Sequence, residues 1–322
     1  MPKILIFGGA GYLGSAISEN LSTNLRFELF VNSRNRVKES RLFLNKIDQK
    51  VQMLNIDATN FDNVKKTLED ISPEVIIDLT GLVDVTKSAM YPKESFESSA
   101  ITTLHILESI RILNLNSVYL NHSSDKVYKN NESPFTEKMN LLPYHIYDVG
   151  KLTQELISNS YNFHYGIKTL NLRCANYYGP YDFDFNRIIP YLMKSFIKNE
   201  EIVLRSSIDF RRDFLYIEEA AKINKIIIDF IMDKDDSIFG ETYNFSQEQD
   251  YSIQEIINLI SKISPNSPKI VQNQEKLNNE TKKLLLDCSK GKAKFKWENT
   301  TSFEEGLKYT HDYYVSYLNK KH

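Results

Sequence analysis

Two spacings in this 322-residue chain could carry chemistry. Tyr147 and Lys151 stand four apart in Tyr147-Asp148-Val149-Gly150-Lys151. On a helix that spacing places both side chains on one face. An ammonium beside a phenol stabilises the phenolate, so it lowers the tyrosine pKa toward a range useful for proton transfer. The pair is weak by itself, because Tyr317 and Lys321 repeat it near the C-terminus with no function assigned. The second spacing is Gly8-Gly9-Ala10-Gly11-Tyr12-Leu13-Gly14, where four of the chain's 11 glycines fall together. Gly8, Gly11 and Gly14 give G-x-x-G-x-x-G between a strand and a helix. Such glycines permit a tight turn and let backbone N–H groups reach phosphate oxygens. The helix N-terminus adds a dipole that favours the anion. The expectation is a bound dinucleotide.

Asn32-Ser33-Arg34 at the end of the second strand bears on which one. NAD sites usually carry a carboxylate there for the ribose 2′-hydroxyl. None is present, and Arg34 with Ser33 suits a 2′-phosphate, so NADP is favoured over NAD. The alternative is that Arg34 is a solvated loop residue.

The elements that would position these groups alternate through the first half. Strands are expected at Lys3–Phe7, Phe27–Val31, Val51–Asn55, Val75–Leu79, Ser117–Asn121 and Lys168–Leu172. Helices are expected near Gly11–Leu25, Asn60–Asp70, Pro92–Leu113 and Asp148–Phe163. This βαβ rhythm predicts an α/β fold, a Rossmann-type doubly wound parallel sheet. Ser123-Ser124-Asp125-Lys126-Val127-Tyr128 then follows a strand's carboxyl end, where active-site residues of such sheets gather. Beyond Gly179 the rhythm weakens to helices at Arg187–Asn199, Ile217–Met232 and Ser252–Ile263, with a polar surface excursion at Ser264–Lys283. The expected division is a dinucleotide-binding domain over 1–175, with returns near 212–245, and a smaller C-terminal substrate lobe over 176–322.

Composition narrows the class. The hydrophobic and charged fractions, 41% and 25%, suit a globular protein with a full core. A net charge of −2 offers no field for nucleic acid or an anionic membrane. No apolar run approaches the roughly 20 residues that span a bilayer. The fold's start at Lys3 leaves no signal peptide, so a cytoplasmic location is expected. Cys174 and Cys288 are read as free thiols, and the histidines share no metal-ligand spacing with them, so no metal is expected.

Over nearly its full length the chain resembles the extended short-chain dehydrogenase/reductases of the nucleotide-sugar epimerase/dehydratase group. The resemblance rests on the glycine turn, Asp57, Asp78-Leu79-Thr80-Gly81, the 123–128 segment and Pro143 to Lys151. It continues in Leu172 to Pro180, Arg212 to Tyr216, Leu286 to Lys290 and Phe303 to Leu307. It implies that Tyr147 takes the proton of a sugar hydroxyl as hydride leaves the same carbon for the nicotinamide. Lys151 would hold the nicotinamide ribose and tune Tyr147, and Ser124 would hydrogen-bond the reacting oxygen. Asp57 and Ala58 would lie at the adenine, Leu79, Thr80 and Gly81 along the cofactor, and Tyr12 and Leu13 in its glycine turn. Asp84, Asn176, Arg187 and Arg212 would face the nucleotide-diphosphate sugar. Family members usually dimerise through two helices, here those near 93–113 and 148–163.

Ser124-Asp125-Lys126 resembles the segment of nucleotide-sugar 4,6-dehydratases, particularly the CDP-glucose type. Asp125 would be the acid for a departing C6 hydroxyl and Lys126 the base at C5. The alternatives are that Asp125 caps the turn and Lys126 points to solvent. Asp84 stands where many dehydratases have histidine, and Ser99 where asparagine is frequent. Pro134 to Glu137, with the approach to Lys151, also resembles dTDP-4-dehydrorhamnose reductases. A 4-epimerase, a C4 dehydrogenase or reductase, and a non-catalytic cofactor-binding subunit therefore stay open. The joint presence of Ser124, Tyr147 and Lys151 argues against the last.

Overall fold

The computed structural model describes residues 1–24, 26–34, 39–128, 133–204, 207–272 and 282–319. Leu25, Lys321 and residues 273–281 of the polar excursion lie outside the described residues. Twelve strands follow in chain order among those described. They are β1 Lys3–Phe7, β2 Glu28–Asn32, β3 Gln52–Leu54, β4 Val75–Asp78, β5 Val118–Ser124, β6 Thr169–Cys174, β7 Asn176–Tyr178, β8 Ile202–Leu204, β9 Arg211–Tyr216, β10 Glu241–Phe245, β11 Asp250–Ser252 and β12 Ile270–Gln272. The longer helices are α1 Tyr12–Ser22, α2 Phe61–Ile71, α3 Thr102–Ile112, α4 Ile146–Tyr165, α5 Ile188–Lys198, α6 Ile217–Met232, α7 Ile253–Ile263 and α8 Phe303–Asn319.

Seven strands make one all-parallel sheet in the order β3-β2-β1-β4-β5-β6-β10. Strand residues alternate between two apolar clusters. Ile4, Ile6, Val75, Ile77 and Leu120 pack with α1 and α6 on one face. Leu5, Phe7, Ile76 and Tyr119 pack with α2 and α3 on the other. A sheet covered on both faces needs apolar residues at successive positions, which is why β1 and β4 read as unbroken runs. The strand order reverses between β1 and β4, and that reversal opens a crevice beyond their carboxyl ends. Next to it, β7, β9 and β11 form a second sheet and β8 pairs with β12. Helices α5, α7 and α8 pack together there, on an apolar cluster continuous with the first face of the main sheet.

Several expectations change. The predicted helix over 92–113 is not one α-helix. Pro92–Phe96 is followed by a π-type turn at Glu97–Ile101 before α3 begins. Ser99 Oγ donates to the carbonyls of Ser95 (2.9 Å) and Phe96 (3.2 Å), and such back-bonding competes with the helical ladder. β3 covers only 52–54, shorter than 51–55. β10 escaped the sequence reading because Asn244 interrupts its apolar pattern. Asn244 is buried and bonded, accepting from the Tyr128 hydroxyl (2.6 Å) and donating to the Phe135 carbonyl (2.9 Å).

α4 is pinned to β6 by a buried ion pair. Arg173 Nη2 and Nε donate to Glu155 at 2.6 and 3.0 Å, and Arg173 Nη1 donates to the Tyr128 hydroxyl at 2.9 Å. The two side chains are 5% and 1% exposed. Removing one partner leaves an uncompensated buried charge, which typically costs about 3–5 kcal/mol. Arg173→Met is expected to lose stability of that order in chemical denaturation, whereas Arg173→Met with Glu155→Leu recovers most of it.

Candidate active site

The turn after β1 brings bare backbone against the start of α1. Gly8 adopts φ +73°, and the Gly11 amide donates to the Gly8 carbonyl at 3.0 Å. A Cβ on Gly14 would meet Gly8 O at 2.5 Å and Gly9 Cα at 2.6 Å, so the first turn of α1 lies directly against the loop. Gly11 caps α1 without a side-chain cap bond. The first amides of the helix therefore face a backbone cradle that fits an anion.

At the end of β2, Asn32 is engaged on both sides of its amide. It donates to the Ile56 carbonyl (3.1 Å) and accepts from the Ile56 amide (2.9 Å). Asp57 accepts from the Thr59 hydroxyl (2.8 Å) and amide (3.1 Å). These bonds, with Arg34 adding a smaller pull, hold the Asp57 carboxyl below its usual range. Arg34 Nη1 lies 3.9 Å from Asp57, and the two side chains are 60% and 52% exposed.

Asp78 closes β4. Its carboxylate is fully buried and takes five donors. They are the Thr80 amide (2.9 Å), the hydroxyls of Thr80 (2.6 Å), Tyr119 (2.6 Å) and Thr103 (3.0 Å), and Gln154 Nε2 (3.3 Å). This fixes the Leu79–Gly81 segment. Lys151, 3% exposed, donates to the Thr80 carbonyl (2.9 Å) and the His122 carbonyl (2.8 Å). Burial pushes its ammonium down to about 8, against the opposing pull of Asp78 and Glu155.

β5 delivers Ser124, Asp125 and Lys126. Ser124 Oγ donates to Asp125 Oδ1 (3.1 Å) and accepts from the Lys126 amide (3.2 Å). Asp125 is 1% exposed, and burial raises its carboxyl pKa against Lys126, Ser124 and Arg212. Tyr147 lies in the first turn of α4. Burial, then Asp148 and Asp125, push its hydroxyl well up. The Lys151 ammonium is thus committed to two carbonyls, and the cation over the Tyr147 ring is Lys126, 5.9 Å from its centroid. Burial also pushes Asp148 up to about 7, helped by Asp125 and opposed by Lys126.

Across the crevice, Asn176 Nδ2 donates to the Asp213 carbonyl at 3.5 Å. Arg187 donates to Asp182 (2.7 Å) and lies over Tyr12, 5.5 Å from the ring centroid. Arg212 donates to the Arg211 carbonyl (2.9 Å) and lies over Phe210. Glu218 pairs with Arg41. Asp84 caps the short helix Val85–Met90, accepting from the Lys87 amide at 3.0 Å.

One cleft of about 1080 Å³ joins all these positions. Gly8, Gly11, Tyr12, Leu13, Gly14, Asn32, Ser33, Arg34, Asp57, Ala58, Leu79, Thr80 and Gly81 line one arm. Ser124, Asp125, Lys126, Tyr147 and Lys151 line the junction, and Asp84, Asn176, Arg187 and Arg212 also border the space. Its size is at the upper end for a small-molecule site, room for two ligands meeting at the junction. The sequence reading missed His122, Asp148 and Tyr177, which also line it. His122 is locked between Asn224 Oδ1 (2.8 Å) and the Tyr177 hydroxyl (3.3 Å), and burial holds its pKa down to about 4. Asp148 had one signal in sequence: a carboxylate next to the tyrosine in a helix's first turn. Both cysteines are free and buried, and among the described residues no group of three or more His, Cys, Asp or Glu could hold a metal ion. No helix among them is long and apolar enough to cross a membrane.

Residues 5–310 match the sequence model of the family described as GDP-mannose 4,6 dehydratase. A dTDP-glucose 4,6-dehydratase of Salmonella typhimurium is 22% identical over 98% of this chain and 93% of its own. The structure of a UDP-glucuronic acid 4-epimerase from Bacillus cereus, in complex with UDP-glucuronic acid and NAD, superposes with TM-score 0.88. It is 23% identical, with 98% of this chain and 99% of that one covered. A dTDP-glucose 4,6-dehydratase from Bacillus anthracis in complex with NAD gives TM-score 0.84 at 20% identity, over 98% and 97%.

The close approach at Gly14 makes one substitution diagnostic. Gly14→Ala is expected to cost about 1–3 kcal/mol by overpacking backbone against backbone. It is also expected to abolish dinucleotide binding in a fluorescence titration, while Gly166→Ala, where a Cβ meets nothing within 4 Å, leaves binding intact.

Proposed function

Because the chain belongs to the GDP-mannose 4,6-dehydratase family of extended short-chain dehydrogenase/reductases, we propose that it is a nucleotide-sugar 4,6-dehydratase. The observation that carries this reading is the junction of the cleft. A buried carboxyl that burial pushes toward its protonated form, Asp125, and an amine side chain, Lys126, border the cleft beside Tyr147 there. Elimination of water needs that set: a base for the C4 hydroxyl, a base for the C5 proton and an acid for the C6 oxygen.

A nicotinamide dinucleotide, when bound, would supply a reversible hydride acceptor. The backbone of the Gly8–Gly14 turn would hold its pyrophosphate, Asp57 and Ala58 would border its adenine, and Lys151 would hold its nicotinamide ribose. Tyr147 takes the C4 hydroxyl proton, with Ser124 bonding the same oxygen. The ketone at C4 acidifies C5, Lys126 removes that proton, and Asp125 protonates the departing C6 hydroxyl. Arg212, Arg187 and Asn176 would face the diphosphate, guanidinium groups matching phosphate geometry. Residues 1–175 would serve the cofactor and 176–322 mainly the substrate. NADP is favoured over NAD, since Arg34 is the charged group at the end of β2 that reaches solvent and no carboxylate stands in β2 there. The exposed Leu104 of α3 and Leu156 and Phe163 of α4 would pack a second copy of the chain.

Incubation with CDP-glucose, dTDP-glucose, UDP-glucose and GDP-mannose, with products weighed by mass spectrometry, checks the reaction. One of them is expected to lose a water without net cofactor reduction. An isomer of unchanged mass would identify a 4-epimerase instead. Tyr147→Phe is expected to lose about 10²-fold or more in kcat. Calorimetric titration should give tighter binding of NADP than NAD, with Arg34→Ala removing the difference; a clear NAD preference in the wild type overturns that part.

A further inference from the structure

A carboxylate taken out of water needs donors for its oxygens. Among the described residues the other buried carboxyls of this chain each take at least one. Asp78 takes five. Glu155 takes the Arg173 guanidinium, Asp182 takes Arg187, and Asp213 takes the Phe214 and Leu286 amides. Glu219 takes the Thr300 hydroxyl and Asp125 the Ser124 hydroxyl. Asp148 differs. It is 4% exposed, no hydrogen bond reaches it among the described residues, and its Oδ1 is shut from solvent. Burial pushes its carboxyl up to about 7. The first turn of α4 offers it the helix dipole, which is weak against the desolvation of a carboxyl.

Asp148 borders the cleft and follows Tyr147 directly in the chain. Most polar groups around it at the junction are already engaged. Lys151 holds two carbonyls, and Ser124 bonds Asp125 and the Lys126 amide. His122 is bonded to Asn224 and Tyr177. Asp125 keeps one oxygen, Oδ2, without a partner, and the dehydratase reading gives that carboxyl to the C6 oxygen. A ligand at the junction therefore meets Asp148 as an acceptor with lone pairs to fill. Tyr147 is assigned to the hydroxyl on C4, so the groups a hexose brings to its neighbour are the hydroxyls on either side, on C3 and C6. A hydroxyl donating to a carboxylate makes a charge-assisted bond, stronger than one between neutral groups.

We propose that Asp148 is a specificity-determining residue that accepts a hydrogen bond from a sugar hydroxyl beside C4, on C3 or C6. This rests on the nucleotide-sugar reading of the cleft and not on which reaction follows oxidation at C4. Asp148 binds the sugar and takes no part in the proton transfers assigned to Tyr147, Lys126 and Asp125. The cost of its burial is the source of selectivity. A sugar without that hydroxyl leaves the acceptor buried and unpaired, and sites of this kind reject such analogues steeply.

The test reads binding by calorimetric titration of the full chain, saturated with the tighter-binding of NADP and NAD and carrying Tyr147→Phe to stop turnover. The ligands are whichever of the four nucleotide sugars binds most tightly and its 3-deoxy and 6-deoxy forms. One deoxy form is expected to bind about 10–100-fold more weakly than the parent, and which one does so identifies the hydroxyl. Asp148→Ala is expected to weaken the parent by a similar factor and to bind that deoxy form no worse than before, so the two losses do not add. Its thermal midpoint is expected to be no lower, because the substitution removes a buried group that the fold leaves unbonded. Equal affinity for the parent and both deoxy forms with Asp148 in place overturns the proposal. Additive losses, or a lowered thermal midpoint in Asp148→Ala, assign a structural role and also overturn it. If none of the four nucleotide sugars binds, the nucleotide-sugar reading fails and the proposal with it.

Discussion

The site is organised around a charge that the fold cannot leave unpaired. Asp78 is fully buried at the end of β4, where the sheet order reverses. A carboxylate taken out of water costs several kcal/mol unless its lone pairs are filled. Its five donors come from its own loop, from β5, from α3 and from α4. Satisfying it therefore fixes how two helices meet the sheet and where the Thr80 carbonyl points. That carbonyl is one of the two that receive the Lys151 ammonium.

α4 inverts the usual arrangement of a surface helix. Asp148, Lys151, Gln154 and Glu155 are on its buried side, while Leu156, Phe163 and Tyr165 are exposed. Three of these buried polar groups are each assigned work by a particular element: Lys151 to the ends of β4 and β5, Gln154 to Asp78, Glu155 to Arg173 of β6. The helix that carries Tyr147 is thus held by directional bonds rather than by an apolar stripe. Such bonds set orientation closely, and proton transfer is sensitive to that.

The junction of the cleft is where local electrostatics and burial compete. Burial alone raises Asp125, Asp148 and Tyr147 and lowers Lys151. All four move toward their uncharged forms. The sequence reading assigned the tuning of Tyr147 to Lys151 from their spacing. Same-face spacing says that two side chains can meet, not that they do. Here Lys151 points to carbonyls, and Lys126 from a different element comes over the ring.

What the sequence determined by itself was the repeating local code: apolar runs for strands covered on both faces, glycines where only a bare backbone fits, and the Tyr147–Lys151 and Ser124–Lys126 spacings. These follow from short-range sterics and periodicity, so they are legible without knowing what packs on what. The two small sheets beside the main one were not legible, because β7, β8, β11 and β12 are each three residues long. Their pairing depends on partners far away in the chain. Nor was the π-type turn that splits the 92–112 helix, or the buried place of Asn244 in β10. Only the tertiary structure decided that Asp125 and Asp148 line one cleft, that Glu218 is taken by Arg41, and that Asp78 gathers four elements. Those are contacts between residues separated by tens to hundreds of positions, and they are fixed by burial, which a single chain's pattern does not encode residue by residue.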